Sequence, residues 1–125
     1  MFRIAKMEVG QTAPMEHMIA SEAVVYGEAL TLATGKVAKC AATAKPDYIA
    51  VGAAAKSGDS VPVIKVQSYM QFETTITADG ASLHLGDQVT LHTDGLQVTA
   101  TTASGVATIT GMDGTAVGSA VTVRF

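Results

Sequence analysis

Two forty-residue stretches constrain this chain more than anything else in it. Gly27–Val66 reads GEALTLATGKVAKCAATAKPDYIAVGAAAKSGDSVPVIKV, and Gly86–Phe125 reads GDQVTLHTDGLQVTATTASGVATITGMDGTAVGSAVTVRF. Laid together without gaps, Gly27 meets Gly86, Glu28 meets Asp87, and Leu30 meets Val89. Thr31 and Leu32 meet Thr90 and Leu91. Thr34 meets Thr93, and Ala41, Thr43 and Ala44 meet Ala100, Thr102 and Ala103. Gly52 meets Gly111, Ser60 meets Ser119, and Lys65 meets Arg124. The order of glycine turns and apolar alternation is the same in both. One repetition is too few for a solenoid, so the pattern predicts two pseudo-repeated four-strand halves closed into one small β-barrel or sandwich.

Composition agrees with an all-β fold. Ala, Val, Thr and Gly dominate, aromatics make up 5% of the chain, and Trp is absent. Small and β-branched side chains suit thin, closely packed sheets. A helical bundle would need longer amphipathic runs. At 125 residues the chain is expected to form one domain.

Along the chain, residues 1–20 stand apart as an N-terminal arm. They hold Met1, Met7, Met15 and Met18, and strand alternation fades after Val9. Pro14 is expected to begin a turn, or a single helical turn through Glu16–Ile19. Residues 21–125 form the β-domain, with halves at 27–66 and 86–125 and a hairpin linker at 67–85. Thr34-Gly35-Lys36 is a hairpin turn, Gly35 supplying positive φ. Tyr48–Val51 reads as a buried strand. Pro62 inside Val61–Val66 predicts an edge strand or a bulge. In the linker, Met70, Phe72, Thr74 and Ile76 face one way and Gln71, Glu73, Thr75 and Thr77 the other, the cleanest period-two run in the sequence.

Chemistry-bearing residues do not converge. Net charge is −3 and the basic residues are scattered, which argues against nucleic acid as a partner. No apolar run is long enough for a membrane span. Residues 1–10 lack the apolar core of a signal peptide, so synthesis in the cytoplasm is expected. His84 and His92 with Asp87 and Asp94 could be imagined as a metal cluster, but Gly86-Asp87 interrupts the strand that would align them; they read as turn and edge histidines. Cys40, the single cysteine, has no partner that would mark a nucleophile and reads as a small buried apolar residue. Glu28, Asp79, Asp87 and Asp94 sit by glycines, as turn residues do. The glycine stretches lack the Lys-Ser/Thr ending of a phosphate loop. No enzyme, cofactor or metal site is expected.

The first half resembles small structural proteins of tailed bacteriophages, the capsid decoration (cement) and head-fibre proteins. The matching residues are Gly27-Glu28, Leu30, Leu32, Gly35, Val37, Ala41–Ala44, Ile49, Val51-Gly52, Gly58, Val61 and Val63. The resemblance covers a third of the chain well and another third weakly, through Gly86–Phe125. It implies a small β-barrel on the outside of an icosahedral shell, in the virion, bound to the major capsid protein. It also implies a homo-oligomer, often a trimer, and an arm touching the shell or a neighbouring subunit. On that reading Phe2, Arg3, Ile4 and Met7 are the expected partner contacts. A carbohydrate- or ligand-binding β-module is the alternative; it would require exposed aromatic platforms, and only three Tyr and three Phe are available.

Overall fold

The computed structural model describes residues 1–7 and 15–125. Its elements are all strands: β1 Arg3–Met7, β2 Met15–Ala20, β3 Ala29–Ala33, β4 Lys36–Lys39, β5 Tyr48–Ala50, β6 Ser60–Lys65, β7 Met70–Thr75, β8 Gln88–Val89, β9 Ala107–Met112 and β10 Ala120–Arg124. The all-β expectation holds.

The first half closes on itself. β2 pairs antiparallel with β6, β6 with β5, β5 with β3, and β3 with β4. β4 then returns to β2 in parallel through Ile19–Lys36 and Ala20–Val37, which completes a five-stranded barrel. The second half follows the same circuit. β7 pairs with β10, β10 with β9, and β9 with β8. Single bridges from Leu91 to Val98 and from Val98 to Ile76 lead back to the end of β7. β1 lies outside this circuit, antiparallel to β7 on the edge opposite β10.

Individual hydrogen bonds recur as well. The Gly27 N–H donates to the Ala50 carbonyl at 2.8 Å, and Gly86 donates to Ile109 at the same distance. Asp47 donates to Leu30 at 2.9 Å and Val106 to Val89 at 3.0 Å. Gly58 donates to Ala20 and Gly118 to Ile76, both at 2.8 Å. Among the described residues, six glycines at positive φ fall into three pairs by position: Gly27 and Gly86, Gly35 and Gly95, Gly58 and Gly118. The ungapped comparison set Asp94 against Gly35 and Val117 against Gly58, so the second copy is one residue longer at these turns. Gly58 (φ +92) and Gly118 (φ +89) face open space. Alanine at either pays only the left-handed backbone penalty, about 1–2 kcal/mol. Urea melts of G58A and G118A should therefore give matching losses; a much larger loss at one would show that the two turns are not equivalent.

Each four-strand stretch recruits a fifth strand from the segment before it. β2 comes from the residues assigned to the arm, and β7 from those assigned to the linker. The expected helical turn at Glu16–Ile19 is instead part of β2, because its backbone is needed to close the barrel against β6 and β4. Pro14 lies outside the described residues. Pro62 is not on an edge: β6 is flanked by β2 and β5. Its missing N–H falls just past the last β5–β6 pair, Ala50–Val63, and the absent side chain of Gly52 leaves room for its ring.

Strand alternation divides the core. Leu30, Val37, Tyr48, Ala50, Val61 and Val63 fill the first barrel. Their neighbours Ala29, Ile49 and Ile64, with Cys40, point outward into a second cluster that holds Met70, Phe72, Ile76, Leu91, Ile109 and Val123. Every residue of β5 is thus buried on one face or the other. Each large aliphatic side chain so enclosed contributes about 1.5–3 kcal/mol. The period-two face of the linker is also as expected, with Met70, Phe72 and Thr74 buried and Gln71, Glu73 and Thr75 half-buried.

Candidate interaction surface

The N-terminal strand carries the four expected contact residues, and the structure separates them. Phe2 is 1% exposed. Its ring meets Phe125 edge-on, centroids 5.6 Å apart, while Phe125 also packs on Phe72 at 5.7 Å. Phe2 therefore anchors the strand and is not available as a contact. Met7 is half-buried, opposite Met70. Arg3 and Ile4 reach the surface. The Arg3 guanidinium pairs with the Glu73 carboxylate across the β1–β7 ladder, the arginine well solvated and the glutamate half-buried. Ile4 is 38% exposed.

Beside β1 runs a groove of about 250 Å³, lined by Phe2, Arg3, Ile4, Tyr26, Ile49, Val51 and Ile64. One wall is the strand; the other is the outer face of the first barrel. Apart from Arg3 its lining is apolar, with Tyr26 47% exposed. The end of β1 is pinned on this side. The Phe2 N–H donates to the Gly27 carbonyl at 2.9 Å, and the Met1 amine donates to the Leu96 carbonyl at 2.5 Å. Met1 rests directly over Gly27, where a Cβ would collide with it. Tyr26, Val51 and Ile64 are not among the partner contacts expected from the sequence. Their apolar alternation was visible, but which outward positions remain uncovered depends on how the two halves pack.

Buried polar groups are few. Glu28 is 2% exposed, its chain against Gly95 with Lys39 close by, and its Oε2 has no hydrogen-bond partner. Burial raises its pKa; Lys39 opposes this, and Glu22 and Asp94 add to it. The folded state then holds this proton more tightly than the unfolded chain. Stability is full below the ordinary glutamate range and falls as pH rises through it. E28Q should thus melt at higher urea than the parent at pH 7, with the gap closing by about pH 4. A Gln variant less stable at pH 7 would contradict this.

Cys40 is buried, its thiol donating to the Ala44 carbonyl at 3.2 Å, and burial, aided by Asp47, pushes its pKa up to about 11. The His84 and His92 imidazoles lie 3.8 Å and 3.2 Å from the Asp87 and Asp94 carboxylates. Among the described residues, no three His, Cys, Asp or Glu side chains gather as a metal site would need.

The fold is thus two like β-circuits packed on a shared apolar cluster, with an N-terminal strand laid along the second. A solved structure with this architecture is the head fibre gp8.5 N base of bacteriophage phi29. The two share 19% sequence identity over 91% of this chain and 94% of that one, with a TM-score of 0.66. No family model and no curated protein matches the sequence.

Proposed function

We propose that this protein is a non-enzymatic structural component of a tailed-bacteriophage virion. It decorates the outer surface of the capsid and is held by the major capsid protein. The observation that carries this reading is the likeness of nearly the whole chain to a head-fibre base. The recurring strand circuit is the trace of an internal duplication, which built the scaffold. The exposed part of β1, Arg3 and Ile4, supplies the shell contact, while Phe2 and Met7 hold that strand in place. Made in the host cytoplasm, the protein acts as a homotrimer. Three modest contacts joined in one particle raise the effective concentration of each, so avidity exceeds the affinity of one site.

Purified protein mixed with empty shells of the phage that encodes it should co-sediment to saturation and raise the temperature at which the shells come apart. Failure to co-sediment at about 100 μM, where contacts weaker than about 5 kcal/mol are left unfilled, would overturn the capsid reading. Light scattering should give three times the chain mass.

A further inference from the structure

We infer that the edge of β1 facing away from β7, unpaired by any strand among the described residues, is a strand-addition site for an extended partner segment that alternates apolar and acidic residues. β1 is the outermost strand of its sheet. The Phe2 N–H points away from β7, to Gly27. By strand alternation the N–H and C=O of Ile4 point the same way, into the groove, whereas Arg3 faces Glu73 on β7. Of the N-terminal residues that line the groove, Arg3 faces β7 and the Phe2 N–H is already bonded, so Ile4 is the one that offers this pair of groups. An extended peptide entering the groove can exchange two backbone hydrogen bonds with Ile4, the usual source of affinity in strand addition. One of its side chains then enters the apolar pocket between Ile4, Tyr26, Val51 and Ile64.

Charge selects the occupant. Lys6, two residues beyond Ile4, is exposed, and so is Arg3, whose guanidinium Glu73 already pairs, on a chain whose net charge is −3. A second copy of β1 laid antiparallel with Ile4 against Ile4 would bring the two Arg3 side chains to diagonal positions and offer Lys6 no carboxylate. A segment with carboxylates beside its inserted apolar residue is complementary instead. This goes beyond the capsid reading, and its test uses no shell.

The probe is a fluorescein-labelled octapeptide of alternating glutamate and leucine, titrated against the full chain by anisotropy. Saturable binding below about 1 mM is expected, with amide shifts confined to Arg3–Met7 and the Tyr26 and Val51 regions. N-methylation of the central probe residues, which removes their donors without touching the protein, should weaken binding at least tenfold. I4P should do the same, since proline at an outward edge position leaves the β1–β7 ladder intact. K6E should lower affinity for this probe and raise it for the lysine–leucine version. Absence of saturation, equal binding of the two probes, indifference to N-methylation, or a dimer that K6E dissolves would each overturn the proposal.

Discussion

Replacing Phe2 by alanine should cost about 3–5 kcal/mol of unfolding free energy, the range for a large aromatic removed from a packed core. The ring is fully enclosed and touches Phe125, which touches Phe72, so its loss leaves a hole where three aromatic side chains converge. For a chain of this length the midpoint of thermal unfolding should fall by about 10–20 °C. I4A, on the same strand but partly solvated, should cost less than about half as much. Read as a sequence, residues 1–20 suggest that an N-terminal truncation would abolish shell binding and leave the barrel folded. The structure ties the two together: removing residues 1–7 takes away a core side chain and the strand paired with β7. Urea melts of F2A, I4A and the truncation decide between these outcomes. A truncated protein as stable as the parent would show that β1 is a detachable arm.

G105A is the second large effect. A Cβ on Gly105 would sit 2.2 Å from the Gln88 carbonyl oxygen and 2.7 Å from the Val89 nitrogen. Those are backbone atoms of β8, so no side chain can swing aside. The strand itself must move, and with it Val89 and the ladder to β9. Overpacking of this kind costs about 1–3 kcal/mol and more where the backbone has nowhere to go. G35A makes a suitable contrast: it carries only the φ penalty, since nothing lies within 4 Å of it. Denaturant midpoints should place G105A below G35A. The reverse order would mean that β8 yields easily.

The local features of the fold were legible because they are written in period and in turn chemistry. Thr34-Gly35 forms the hairpin expected of it, both residues at positive φ (51° and 79°), between the Ala33–Lys36 pair. The alternation of Met70, Phe72 and Thr74 marks a buried face because a strand turns alternate side chains the same way. The fate of residues 1–7 was not legible. Arg3 and Glu73 are seventy residues apart, and no local pattern encodes which distant edge a five-residue strand will choose. For the same reason Phe2 read as an apolar contact residue: exposure and burial of a lone phenylalanine look alike in sequence. Of the proposed surface, Arg3 and Ile4 were foreseen. Tyr26, Val51 and Ile64 were not, since the groove exists only once β1 is seated beside the first barrel.

The meeting of Phe2 with Phe125 has a consequence for synthesis. β1 leaves the ribosome well before its partner β7, and longer still before β10 and the adjoining Phe125. Contacts this distant along the chain are slow to form, and the first barrel can close before they do. The groove is therefore assembled late in folding, by the joining of β1 to β7 and of Phe2 to Phe125. A chain arrested short of β10 would carry a finished first barrel and no ordered edge for a partner, so competence to bind itself reports that β10 has been made and docked.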